Sequence, residues 1–76
     1  MSAEAKRELR QLGETIRKQR NALNVSQEDY AELCDLHRTY VGQLERGEKN
    51  VSFINILRVA KAFKLKPSEL FKKSGL

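Results

Sequence analysis

The stretch from Ser26 to Gly47, SQEDYAELCDLHRTYVGQLERG, constrains the fold more than any other part of the chain, because it reads as two short helices joined by a tight turn. Ser26 suits an N-cap, and Glu28 and Asp29 put negative charge in the first turn, where free N–H groups and the helix dipole favour it. Asp29 is a short-armed match to the Glu or Gln of a capping box. Tyr30, Ala31, Leu33 and Cys34 supply an apolar side, and Asp35 is able to take the left-handed conformation that ends a helix. A second helix is expected to begin at His37 or Arg38 and to stop at Gly47.

The two sides of that second helix differ in kind. Leu36, Val41 and Leu44 fall on an inward face, whereas Arg38, Thr39, Gly42, Gln43 and Arg46 form one exposed stripe about 100° wide or a little more. The stripe holds no acid. Its side chains suit an acceptor-rich surface: Arg makes a paired contact to guanine, Gln to adenine, and Thr a hydrogen bond or methyl contact, while Gly42 permits close approach. A short basic helix set against another by a tight turn has the geometry that enters a DNA major groove.

The remaining segments read as supports for this pair. A first helix is expected from Ala3 or Glu4 to about Ala22, with Ala5, Leu9, Leu12 and Ile16 at helical spacing and Arg20 one turn beyond on the same inward side. An arginine facing a core needs a carboxylate, and Glu45 is the candidate. After Gly47 a loop runs to Ser52, which can cap a fourth helix whose Ile56, Val59, Ala60 and Phe63 follow the core pattern. Phe53, Ile54 and Leu57 project elsewhere, and dimerisation explains three large apolar side chains on so small a body. The alternative is that Phe53 folds back on its own core. Pro67 fits the first position of a fifth helix with Glu69 close behind, Leu70 and Phe71 either pack on the body or join the dimer face, and Lys72 to Gly75 read as a frayed basic end. The expectation is all-α: residues 1–76 as one compact five-helix bundle with no strand, linker or repeat.

Composition narrows the function. Lys and Arg number 15 against 10 Asp and Glu, a net charge of +5, and the pI near 9.7 lies above the range of about 9 that flags nucleic-acid binding. The charge is segregated: Glu28, Asp29, Glu32 and Asp35 face no base within 28–35, while Arg17, Lys18 and Arg20 cluster and the segment 58–73 is basic apart from Glu69. No apolar run of about 18 residues and no secretory leader is present, so a cytoplasmic location without membrane partners is expected. With one Cys there is no internal disulfide, and Cys34 with His37 finds no second pair to complete a metal site. One His, one Cys and no Gly-rich phosphate loop argue against an enzyme, and no cofactor, metal or small-molecule ligand is expected.

The residues Ile16-Arg17 with Arg20, Ser26-Gln27-Glu28, Ala31, Val41, Leu44-Glu45-Arg46-Gly47 and Ala60 resemble the helix-turn-helix family of phage repressors and Cro-like regulators over roughly Leu12 to Phe71. Within it, LHRTYVGQLERGEKNVSFINI looks most like the small controller proteins of restriction-modification systems. The resemblance implies a lambda-repressor-like fold and a homodimeric transcription regulator that binds paired operator sites, activating at one occupancy and repressing at a higher one. It implies base contacts from Arg38, Thr39 and Gln43, and phosphate contacts from Gln27, Tyr40, Arg46, Asn50 and Ser52, with Tyr40, Gln43 and Arg46 able to serve at either. It further implies a buried Arg20–Glu45 ion pair and a dimer interface on the last two helices, including Phe53, Ile54, Leu57 and Phe71. Asp35 stands where the family often has Gly, and His37 is a weak N-cap type. A different reading of the same fold is an antitoxin or other interaction module that holds a protein partner through Phe53, Ile54 and Leu57.

Overall fold

A computed structural model describes all residues from Met1 to Leu76 and contains five helices: α1 (Ala3–Ala22), α2 (Gln27–Cys34), α3 (Arg38–Glu45), α4 (Phe53–Ala62) and α5 (Pro67–Lys73). Three of them start on serine. The hydroxyls of Ser2, Ser26 and Ser52 accept the backbone N–H of Ala5, Asp29 and Asn55 at 3.1, 3.0 and 3.2 Å, each removing one of the unpaired donors that open a helix. α3 starts on His37, whose Nδ1 accepts the Thr39 N–H at 3.1 Å. The imidazole thus does the work of the missing Ser or Asp, and it fixes the first residue of α3 as Arg38.

The five helix ends share one device. Asn24, Asp35, Gly47, Lys64 and Gly75, each just past a helix, all have positive φ between 57° and 77°. At Asp35 the chain closes with Leu36 N–H on Ala31 O at 2.9 Å and Asp35 N–H on Glu32 O at 3.2 Å, the paired bonds that satisfy a helix's last carbonyls. Asp35 therefore takes the expected left-handed conformation, at φ 57°, ψ 44°. Lys64, at φ 58°, does so without the short polar side chain that usually eases this conformation.

The core is one cluster in which Ile16, Tyr30, Val41, Val59 and Leu70 are fully buried, one from each helix. Tyr30 lies at its centre: its hydroxyl donates to Val59 O at 3.0 Å and its ring stacks on Phe63 with centroids 4.6 Å apart. Burial, followed by the neighbouring Cys34 thiol, pushes the Tyr30 phenol well above its ordinary range, and burial also raises the Cys34 thiol. α1 crosses α3 at Gly13, where a Cβ would lie 2.6 Å from Glu45 O and closer still to Leu44 O.

Two expectations fail here. Leu33 is 60% exposed, because α3 and α4 cover the Tyr30, Ala31 and Cys34 side of α2 and nothing covers the adjacent edge. The chain end is not frayed: Ser74 is buried, its hydroxyl donates to Leu70 O at 2.8 Å, and Gln11 of α1 donates to Ser74 O at 3.4 Å. Phe53 does not fold back. It is 72% exposed, beside Ile54 at 56% and Leu57 at 36%, while Leu70 is buried and Phe71 is half-buried against the core. No helix is long and apolar enough to cross a membrane, and no cluster of His, Cys, Asp and Glu is placed to hold a metal ion.

Candidate nucleic-acid interface

The N-terminal turn of α2 and the outer side of α3 enclose an open groove of about 610 Å³ lined by eight residues, none of them hydrophobic: Arg20, Ser26, Gln27, Glu28, Arg38, Thr39, Gly42 and Arg46. α3 presents this side because Val41 and Leu44, on the other, are buried in the core. The start of α2, from Ser26 to Glu28, lines the same space.

A buried ion pair sets the angle of α3. Arg20 of α1 grips both oxygens of Glu45, Nε to Oε2 at 2.6 Å and Nη2 to Oε1 at 3.1 Å, and its Nη1 donates to Val25 O at 2.9 Å. The bond to Glu45 raises the already high guanidinium pKa. Gln27 then donates to Glu45 Oε1 at 3.0 Å, which lays its amide across α3. Gly42 is buried beneath it: a Cβ there would meet Arg46 Nη1 at 3.2 Å and Gln27 Oε1 at 3.4 Å. The close approach expected at Gly42 is thus made by the chain's own side chains.

Not every candidate residue reaches the groove. Gln27, Arg38, Thr39 and Arg46 line it together; Gln43 is half-buried and outside the lining. Tyr40 is half-buried on α3, with its hydroxyl accepting from Asn55 Nδ2 of α4 at 3.1 Å. That bond leaves the phenolic proton free to donate outward. Ser52 spends a lone pair on its cap and keeps its hydroxyl proton. Asn50 is exposed and borders a separate cleft with Met1, Leu9 and Leu76.

Acidic neighbours are the part that periodicity along α3 does not reveal. Arg46 is held by Glu48 through two bonds, Nε to Oε2 at 2.7 Å and Nη2 to Oε1 at 3.2 Å. This contact raises the guanidinium and holds the Glu48 carboxyl below the usual carboxylate range. Arg38 Nη1 lies 3.6 Å from Glu28 Oε2. Both carboxylates come from outside the stripe, so only the turn and loop geometry brings them in.

Comparison with known proteins gives a consistent picture. The helix-turn-helix family matches residues 16–70. The control protein C.SmaI of Serratia marcescens is 43% identical over 65 residues, covering 86% of this chain and 77% of the relative. The control protein C.BamHI of Bacillus amyloliquefaciens is 51% identical over 47 residues, covering 62% of this chain and 58% of the relative. Among solved structures, the restriction-modification controller protein C.AhdI from Aeromonas hydrophila matches with a TM-score of 0.78 and 47% identity, covering 82% of this chain and 94% of that one.

Proposed function

The chain belongs to the helix-turn-helix family, alongside the control proteins of restriction-modification systems, and from that premise we propose that it is a sequence-specific, DNA-binding transcriptional regulator of such a system, acting as a homodimer in the cytoplasm. The observation that carries the reading is the polar groove in which Gln27, Arg38, Thr39 and Arg46 converge at the junction of α2 and α3. A protein helix of this width fits the major groove, and the donor set matches its base-edge and phosphate acceptors.

In this reading residues 1–76 form one DNA-binding unit. Arg38, Thr39 and Gln43 read base edges; Gln27, Tyr40, Arg46, Asn50 and Ser52 take phosphate. The exposed Phe53, Ile54 and Leu57, with Phe71 at their margin, form the face that a second copy covers. Two copies joined there would engage two half-sites on one side of the duplex, about one helical turn apart.

Selection of bound sites from random duplex DNA by the full chain tests the proposal directly. The expected product is a palindrome with half-sites spaced about 10 base pairs apart or a multiple. Recovery of no enriched sequence overturns the regulator. Sedimentation over a range of concentrations tests the dimer: reversible self-association supports it, and a chain that stays monomeric both free and on the selected duplex removes that half of the reading.

A further inference from the structure

The groove that faces DNA contains one acid, Glu28, and it stands against the arginine best placed to read a base. The Arg38 Nη1 to Glu28 Oε2 distance of 3.6 Å is too long for a hydrogen bond, and both side chains are about two-thirds exposed, at 64% and 68%. Such a contact adds little to the stability of the fold. Its consequence lies elsewhere, in what Arg38 will accept.

The second arginine makes the contrast. Glu48 binds Arg46 through Nε and Nη2 at hydrogen-bond distance and does not line the groove, so it orients that side chain while Nη1 stays over Gly42. Glu28 makes no such fork. It leaves the Arg38 donors free and puts a negative charge beside them.

DNA offers that guanidinium two kinds of acceptor. A phosphate carries a full charge, and on reaching Arg38 it would share one cation with Glu28, with the two anions a few ångströms apart. The O6 and N7 edge of guanine carries no net charge and meets no such repulsion. Glu28 can itself accept only from the exocyclic amino groups of cytosine or adenine among the major-groove edges. Repulsion therefore falls on sequence-independent contacts and spares base contacts.

We propose that Glu28 is a specificity-determining residue, which biases Arg38 away from phosphate and toward base edges and so suppresses binding to non-cognate DNA. The inference rests on the DNA-reading assignment above.

The test uses the full chain and two duplexes of equal length, one recovered by site selection and one of shuffled sequence, titrated between about 50 and 200 mM salt. Glu28→Gln is expected to tighten binding to the shuffled duplex about three- to tenfold at the low-salt end and to change the selected duplex by less than about twofold. The log–log salt slope on shuffled DNA should steepen by about 0.9 for each additional phosphate engaged. Glu28→Asp, which keeps the charge, should retain most of the wild-type ratio. On an Arg38→Gln background the effect of Glu28→Gln should vanish. Equal shifts on both duplexes, no shift on either, or an effect that survives removal of Arg38 would each overturn the role of Glu28. A wild-type chain that fails to distinguish the two duplexes sinks the regulator reading itself, and this inference with it.

Discussion

Arg20 and Glu45 meet through two parallel bonds at 2.6 and 3.1 Å, with side chains only 13% and 4% exposed, so that α1 is tied to the last turn of α3. Val25 O and the Gln27 amide complete the set. Removing one member strands a buried charge, and Glu45→Ala or Arg20→Ala should each cost about 3 kcal/mol, the low end for such losses because Arg20 keeps some water contact. Replacing both with apolar residues of similar size should cost much less. Urea denaturation of the three variants checks this, and equal losses in single and double variants would contradict it.

Gly13 sits where α1 crosses the backbone of α3, and a methyl group there would run into Leu44 O and Glu45 O. Helix propensity alone says Gly13→Ala should stabilise by about 0.5–1 kcal/mol. Overpacking against backbone that cannot step aside costs about 1–3 kcal/mol, so the net sign reverses. A lower melting temperature is expected, and an unchanged or higher one would show that the two helices part freely.

Tyr30 is wholly buried and its phenol is raised far above the ordinary 10.0. The unfolded chain ionises this group first as pH rises. The stability it contributes is therefore full below about pH 10 and declines above that value toward the raised folded one. Tyr30→Phe should lose about 1 kcal/mol at neutral pH, from the bond to Val59 O, yet show a shallower fall in melting temperature above pH 10. Parallel falls in the two proteins would refute the assignment.

Arg38 lines the groove next to Thr39, with its guanidinium largely exposed. Arg38→Ala should cost about 1–3 kcal/mol of binding to a selected duplex and relax base choice at one position in each half-site. The ratio of affinities for cognate and scrambled duplexes measures it. An unchanged ratio would remove Arg38 from base recognition.

Much of the fold was legible because local rules and tertiary packing agree. Ser26 and Ser52 start their helices and Pro67 opens α5, where capping chemistry predicts. Periodicity likewise sent Val41, Leu44, Ile56 and Val59 inward and left Phe53, Ile54 and Leu57 without cover. Leu33 misled because it lies at the margin of an apolar arc, and which margin is buried depends on the helix packed beside it. The end of α5 misled because Ser74 is held by Gln11, 63 residues earlier in the chain.

The amino-acid order by itself determined five helices, most of their inward positions, and a stripe on α3 rich in donors and free of acids, since these follow from hydrogen bonding and helical period within a few residues. Only the tertiary structure decided what surrounds that stripe. Glu28 meets Arg38 because Asp35 turns α2 back beside α3, Gly42 is roofed by Gln27 because Glu45 anchors the amide, and α1 approaches closely because Gly13 has no side chain. Each of these is a contact between segments whose separation in sequence carries no period, so it exists only once the helices have packed.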